Sequence, residues 1–430
     1  MLLDLLTLRI DKSSFLVPLD VLAAVLCVVL LVRRPGGRLI RSLIACALGA
    51  AIGLLVCWLV TDVWNVFGLP LTQITWMWAT LAFAGIALAL ANLRGSRPWR
   101  KVVAIVSIAV FALTAAAGIN VDFGAYRNLK DALGLTPYPA MSAAYLHGHE
   151  SAMAPALGAT WQPPSGMPSK GRVGTVRIPA TKSGFGARIA SVYLPPAALV
   201  ASPPALPVAV LFSGQPGAPS DVFTAGRVAQ MLNAYAHAHK GLAPIVVAPD
   251  QLGRPDKNPM CVDSPLGKSA TYLLVDVPNW IRSHLNVAAD PRYWAVGGYS
   301  QGGTCSIQFG AGHPDLFRSI IDISGEEAPT IGPSTVREAF GGSAAAYKKI
   351  TPLALLAAHR PYPDTLAIFG VGANDAKYNR IEHTMVTAAH AAGMTTRFIE
   401  SPNTAHDWNT VRYVLKRALP QVADSMGLGG

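Results

Sequence analysis

The sequence predicts a bundle of four transmembrane helices followed by a doubly wound α/β domain with a mostly parallel sheet. Three observations carry this expectation. Apolar residues make up 51% of the 430-residue chain and charged residues only 14%, too apolar for an ordinary soluble protein and too long for one ordinary domain. Uninterrupted apolar runs are confined to the N-terminal part, and beyond it short β-rich runs alternate with helix-period segments. The boundaries read as 1–120 for the transmembrane domain, 121–172 for a linker and 173–430 for the α/β domain.

Four runs qualify as spans, at 16–32, 43–60, 74–91 and 102–119, each near the ~20 residues needed to cross about 30 Å of hydrocarbon. The first carries Pro18 and Asp20 near its start, with Asp20 close enough to a boundary to reach the interface. A cleaved signal peptide suits that run less well, because three more spans follow and its positive charge lies mainly after the apolar stretch. Arg33, Arg34, Arg38 and Arg41 follow the first span, and Arg94, Arg97, Arg100 and Lys101 separate the third from the fourth. The positive-inside bias makes these two loops cytoplasmic, whereas 61–68 has no Lys or Arg, carries Trp64 and belongs outside. Both ends of the bundle, and the C-terminal domain with them, are then extracytoplasmic, in a multi-pass protein of the cell membrane. Without internal repeats or strongly charged positions deep in the spans, the bundle reads as an anchor and not as a transporter.

The net charge of +11 could suggest nucleic acid, but several of the arginines sit in the two loops. There is no zinc-finger spacing and no RNA-binding aromatic signature, so no nucleic-acid partner is expected. Membrane lipids are the expected partners, with the residual positive charge favouring anionic surfaces. No obligate protein partner is indicated.

The 121–172 stretch is rich in Ala, Pro, Gly and Ser without a sustained period, and reads as a loosely structured connector. His147-Gly148-His149 and His237-Ala238-His239 each resemble half of a metal site, but neither has partners at ligand spacing, so no metal is expected. The α/β domain opens with two antiparallel strands at 174–179 and 187–194. Parallel strands follow at 208–212, 245–248, 293–297, 319–323, 366–370 and 396–400, each leading into a helix-period or loop segment.

Gly298-Tyr299-Ser300-Gln301-Gly302-Gly303 stands between the apolar run 293–297 and a helix-like segment, the strand-turn-helix setting that G-x-S-x-G requires. Small residues are needed at the two glycine positions because the tight turn crowds the backbone and pushes the serine hydroxyl outward. This makes the domain an α/β-hydrolase fold with Ser300 as nucleophile. A serine hydroxyl needs a base, which in this fold arrives last along the chain, and His406 lies in a polar loop after the last strand. The orienting acid follows the penultimate strand, where Asp375 stands, with Asp322, Glu326 and Glu327 as competitors suited to lining the pocket mouth or satisfying loop amides. The oxyanion would be held by the N–H of Gln301 and by one from Ser213-Gly214-Gln215-Pro216, with Gln215 the expected donor because Pro216 has none.

Cys27, Cys46 and Cys57 fall in spans and serve as small apolar residues. Cys261 follows a loop at the carboxyl end of a strand and Cys305 lies one turn into the elbow helix, so a Cys261–Cys305 disulfide is expected in an oxidising compartment, two buried thiols being the alternative.

On Gly298 to Gly303 and Ala405-His406-Asp407-Trp408, the C-terminal domain resembles the esterase family that includes esterase D and the actinobacterial mycolyltransferases. The resemblance implies an α/β-hydrolase fold, ester chemistry and no metal or other cofactor. The spans together with Cys261-Val262-Asp263 and Gly303-Thr304-Cys305 are similar to membrane-anchored hydrolases of mycobacteria and their relatives. One departure stands out: Ser213-Gly214 occupies the place of the family's usual His-Gly. The expected activity is that of an extracytoplasmic serine esterase acting on a lipid or cell-envelope ester through an acyl-enzyme. The alternatives are an acyltransferase, a hydrolase of aminoacyl-phosphatidylglycerol, and an inactive envelope-binding protein.

Overall fold

A computed structural model of the chain describes residues 5–32, 37–64, 70–135, 138–154 and 156–429. Arg33 and Arg34 of the first expected cytoplasmic loop, and 65–68 of the expected outer loop, lie outside those residues. The chain divides into two compact units, Met1–Leu135 and Thr136–Gly430.

Among the described residues of the first unit, four helices are long and apolar enough to cross a membrane. They are α1 (Ser13–Leu31), α2 (Gly37–Trp58), α3 (Gln73–Leu93) and α4 (Pro98–Phe123). Their outer faces leave Val21, Val25, Leu48, Leu81 and Ile105 about half exposed, a surface suited to lipid and not to water. Polar contacts fix two of the helix ends. The Arg100 guanidinium donates to the Val29 carbonyl at 2.7 Å at the end of α1, and Thr72 caps α3 by accepting from the Thr75 N–H at 3.1 Å.

The second unit is built on an eight-stranded sheet among its described residues. The strands are β1 (Arg172–Val176), β2 (Ala190–Leu194), β3 (Val208–Phe212), β4 (Ile245–Ala248), β5 (Trp294–Tyr299), β6 (Ser319–Ile323), β7 (Leu366–Gly372) and β8 (Thr395–Ser401). Their spatial order is β8-β7-β6-β5-β3-β4-β2-β1. All pairs from β8 to β4 are parallel, and β2 joins β4 and β1 antiparallel. The central strands are apolar at nearly every position because helices cover both faces, as an interior parallel sheet requires. The helices that concern the site are α5 (Val228–Ala238), α6 (Val277–His284), α7 (Gln301–Gly312), α8 (Ala376–Ala391) and α9 (Trp408–Ser425).

The 121–172 stretch departs from the loose connector that its composition suggests. α4 runs on to Phe123, and residues from 138 onward are laid onto the second unit. The Met141 N–H donates to the Thr175 carbonyl at 2.9 Å, and Glu150–Ser151 pair in parallel with Val287–Ala288. Leu157 is buried in the core, and the Gly158 N–H donates to the Gly427 carbonyl at 3.4 Å beside fully buried Leu428. These contacts join segments far apart in sequence, so no local period announces them.

Candidate active site

Ser300 stands between β5 and α7 with φ +56° and ψ −119°, a conformation that L side chains rarely adopt. The turn is pinned from both sides. The Ser300 N–H donates to the Ile323 carbonyl at 2.8 Å, and its carbonyl accepts from the Thr304 N–H at 2.9 Å and the Thr304 hydroxyl at 3.1 Å. A Cβ on Gly298 would fall on the Gly302 backbone, and one on Gly302 would strike the Ser213 carbonyl, so both flanking glycines are sterically required.

His406 and Asp375 reach Ser300 from the carboxyl ends of β8 and β7. His406 Nε2 lies 2.9 Å from Ser300 Oγ and its Nδ1 lies 2.8 Å from Asp375 Oδ2. Both partners of that inner bond are buried. A carboxylate can only accept, so Nδ1 carries the proton and Nε2 is left free to take one from the hydroxyl. The two loops are fastened to each other: the Asn374 N–H donates to the Thr404 carbonyl at 2.9 Å and the Ala373 N–H to the Ser401 carbonyl at 2.9 Å. Asp407 accepts from the Ala405 N–H at 2.8 Å and caps α9 by accepting from the Thr410 N–H at 2.9 Å. The imidazole packs against the rings of Tyr299 and Tyr378, at centroid distances of 5.0 Å and 4.3 Å. A hydroxyl, an imidazole and a carboxylate in this order can generate an oxygen nucleophile at neutral pH.

The two segments expected from the sequence to hold an oxyanion, the start of α7 and the loop after β3, lie side by side. A Cβ on Gly214 would stand 3.5 Å from the Ser300 Cβ, so the backbone that carries Gln215 runs alongside the nucleophile position. The Gln301 side chain is buried and donates to Asn258 Oδ1 at 3.1 Å and to Cys305 Sγ at 3.3 Å. Cys305 is joined to Cys261 in a disulfide with Cα atoms 5.6 Å apart, which ties the loop after β4 to the first turn of α7. With a sequence separation of 44, closing that loop removes about 4 kcal/mol of unfolded-chain entropy. The Cys261→Ala/Cys305→Ala double variant is expected to lose about 2–4 kcal/mol of stability, measured as a lower urea midpoint. An unchanged midpoint would mean that the link constrains nothing.

The competing carboxyls have other places. Asp322 and Glu382 are completely buried, and Glu382 Oε1 accepts from the Gly325 N–H at 2.8 Å. Burial raises both carboxyls, and the charge of Asp322 raises Glu382 further, while the Gly325 N–H acts in the opposite sense. In the unfolded chain both would ionise near pH 4, so the folded state holds more protons above that pH. The pair's contribution is fully present below about pH 4 and is lost as pH rises toward the folded values. The Tm is therefore expected to be higher at pH 5 than at pH 8, and Glu382→Gln is expected to shrink the difference. An identical pH slope in wild type and variant would contradict this. Glu326, pushed up to about 7 by burial with Lys377 pulling it down, lines a shallow recess with Gln301, Asn258 and Thr304. Among the described residues no group of three or more His, Cys, Asp or Glu side chains is placed to hold a metal ion.

Ser300, Asp375 and His406, each singled out from the sequence, lie at one place, and Cys261 pairs with Cys305 as expected. Asn258, Tyr378 and Glu382 were not expected there and reach the site through tertiary packing. The position of Tyr378 three residues after Asp375, on the first turn of α8, was the one signal that could have found it.

The family model described as Putative esterase matches residues 186–413. The chain belongs to this esterase family. The matched residues lie in the second unit, whose mostly parallel sheet is that of the α/β-hydrolase fold. The chain is 37% identical over 254 residues to an uncharacterized protein of Corynebacterium glutamicum. That alignment covers 57% of this chain and 59% of the relative's length. Among solved structures, a ferulic acid esterase superposes with a TM-score of 0.50 at 17% identity, covering 60% of this chain and 98% of the other, which speaks for the fold. An S-formylglutathione hydrolase from Agrobacterium tumefaciens aligns with a TM-score of 0.49 at 18% identity over 60% of this chain and 97% of its own.

Proposed function

We propose that this esterase is anchored in the membrane by its four apolar helices and cleaves a lipid or cell-envelope ester through an acyl-enzyme on Ser300, on the extracytoplasmic side. The observation that carries the chemistry is the chain from Ser300 Oγ through His406 to Asp375, with distances of 2.9 Å and 2.8 Å. His406 Nε2 takes the hydroxyl proton as Ser300 Oγ bonds to the ester carbonyl carbon, and the carbonyl π electrons move to its oxygen. The N–H groups of Gln301 and Gln215 receive that oxyanion. Collapse breaks the bond to the alcohol, which leaves with the proton held on His406. Water, deprotonated by the same imidazole, then releases the acid and restores the serine.

Support for the location comes from the Cys261–Cys305 disulfide, since such links persist in oxidising compartments, and from Arg94, Arg97, Arg100 and Lys101 between the third and fourth spans. Anchoring by the apolar helices supports a substrate that stays in the bilayer over a freely soluble one. The test is turnover by the full chain in lipid vesicles, comparing diacyl lipid esters with short soluble esters, with and without an alcohol acceptor. Each methylene buried in an acyl pocket is worth about 0.8 kcal/mol, so two or more bound methylenes should raise kcat/KM for lipid by about tenfold or more. Equal or better turnover of the short soluble esters would sink the lipid reading. Acyl transfer to the added alcohol in preference to water would make the protein an acyltransferase.

A further inference from the structure

The residue after Ser300 is held by more than its helix. Gln251, fully buried in the loop after β4, donates from Nε2 to the Ser213 carbonyl at 2.7 Å and to Gln301 Oε1 at 3.2 Å. Gln301 Nε2 donates in turn to Asn258 Oδ1 at 3.1 Å, and Asn258 Nδ2 to the Thr330 carbonyl at 3.0 Å. Three side-chain amides thus form a row closed at each end by a main-chain carbonyl. A carbonyl oxygen can only accept, so Gln251 must turn its nitrogen toward Ser213 and Asn258 its nitrogen toward Thr330. The orientation of Gln301 between them then follows.

This row joins the two segments from which an oxyanion would be held. Ser213 opens the Ser213-Gly214-Gln215 loop, and Gln301 begins α7. Both hydrogens of one nitrogen are in use, one on each segment, so neither segment can shift without lengthening a bond to that nitrogen. The contact is close on the main-chain side as well, where the Ser213 carbonyl lies over the Gly302 backbone.

We propose that Gln251 is a positioning residue that sets the separation of the two oxyanion donors by holding the Ser213 carbonyl and the Gln301 side chain on a single amide nitrogen. The proposal rests on the catalytic reading given above. Gln251 touches no substrate and acts through Gln301 and the 213–215 loop. Donors gain their effect from being aimed beforehand at the place where charge develops, so a small displacement is felt in the rate and not in substrate binding.

The full chain in detergent is compared as wild type, Gln251→Met, Gln301→Met and the double variant, by fluorophosphonate labelling rate, by kcat and KM on a soluble ester, and by Tm. Methionine keeps the length of the side chain without its hydrogen bonds. Gln251→Met is expected to lower kcat by about 10- to 100-fold, less than outright loss of a donor, with KM unchanged within about twofold. Gln301→Met is expected to do the same, and the double variant to be no worse than either single one, because all three cut one link. A folded Gln251→Met with wild-type kcat overturns the proposal, as does a double variant whose losses multiply. Should Gln251→Met fail to fold, Gln301→Met decides alone, and an unchanged kcat there overturns it. A wild type that is not labelled removes the catalytic reading and this inference together, whereas a labelled wild type with unaffected variants removes the inference only.

Discussion

Ser300→Ala is expected to lower ester turnover by about 10⁴- to 10⁶-fold and to abolish fluorophosphonate labelling. At 1.36 kcal/mol per decade, that is a loss of roughly 5–8 kcal/mol of transition-state stabilisation. The size follows from what alanine leaves behind. His406 and Asp375 would still be 2.8 Å apart, but the imidazole could only assist water, which is neither tethered nor aimed. The residual rate would come from the oxyanion donors and from binding. Alanine loses no main-chain contact, since the bonds that pin the turn run from the Ser300 N–H and carbonyl. A Tm within a few degrees of wild type is therefore expected alongside the rate loss. Retained turnover in a folded Ser300→Ala protein would place the nucleophile elsewhere.

Asp375→Asn should cost about 10³- to 10⁴-fold in kcat with little loss of stability. The two side chains have the same shape, so the change acts through hydrogen-bond polarity. A carboxylate at 2.8 Å holds the proton on His406 Nδ1 and leaves Nε2 as the acceptor. An amide can present N–H to Nδ1, and the imidazole then turns its own N–H toward Ser300, where it cannot take a proton. Asp407→Asn makes the control. Asp407 caps α9 through one oxygen and accepts from the Ala405 N–H through the other; asparagine keeps the cap but loses the second acceptor, which should cost about 1 kcal/mol of stability and only a few-fold in rate. Equal rate losses at the two positions would mean that Asp375 orients nothing.

Much of this architecture was legible in the residues. β3, β4 and β6 lie at the bounds expected from the residues and the other parallel strands within two residues of theirs, because interior parallel strands are short apolar runs bounded by turn formers. The elbow was legible for a steric reason, since Gly298 and Gly302 can only be glycine where the backbone is so crowded. The partners of Ser300 were found through chain order, as each follows a particular strand. The stretch from 138 to 161 was not legible, because Met141, Glu150 and Leu157 find partners on β1, beside α6 and near the end of α9. The amide row through Gln251 and Asn258 escaped notice for the same reason. No local pattern says that a buried glutamine will meet another one 50 positions away.

The clasp between Gly158 and Gly427 bears on how the unit is made. A chain emerging in order carries Leu157 and its neighbours without their covering partners until residues 426–428 are synthesised. High contact order of this kind slows folding, and the incomplete sheet would leave apolar surface uncovered for that time. A ribosome-stalled chain ending before α9 should accordingly be protease-sensitive throughout the second unit, with resistance appearing as one step once the C-terminal helix and the 426–428 segment have joined it.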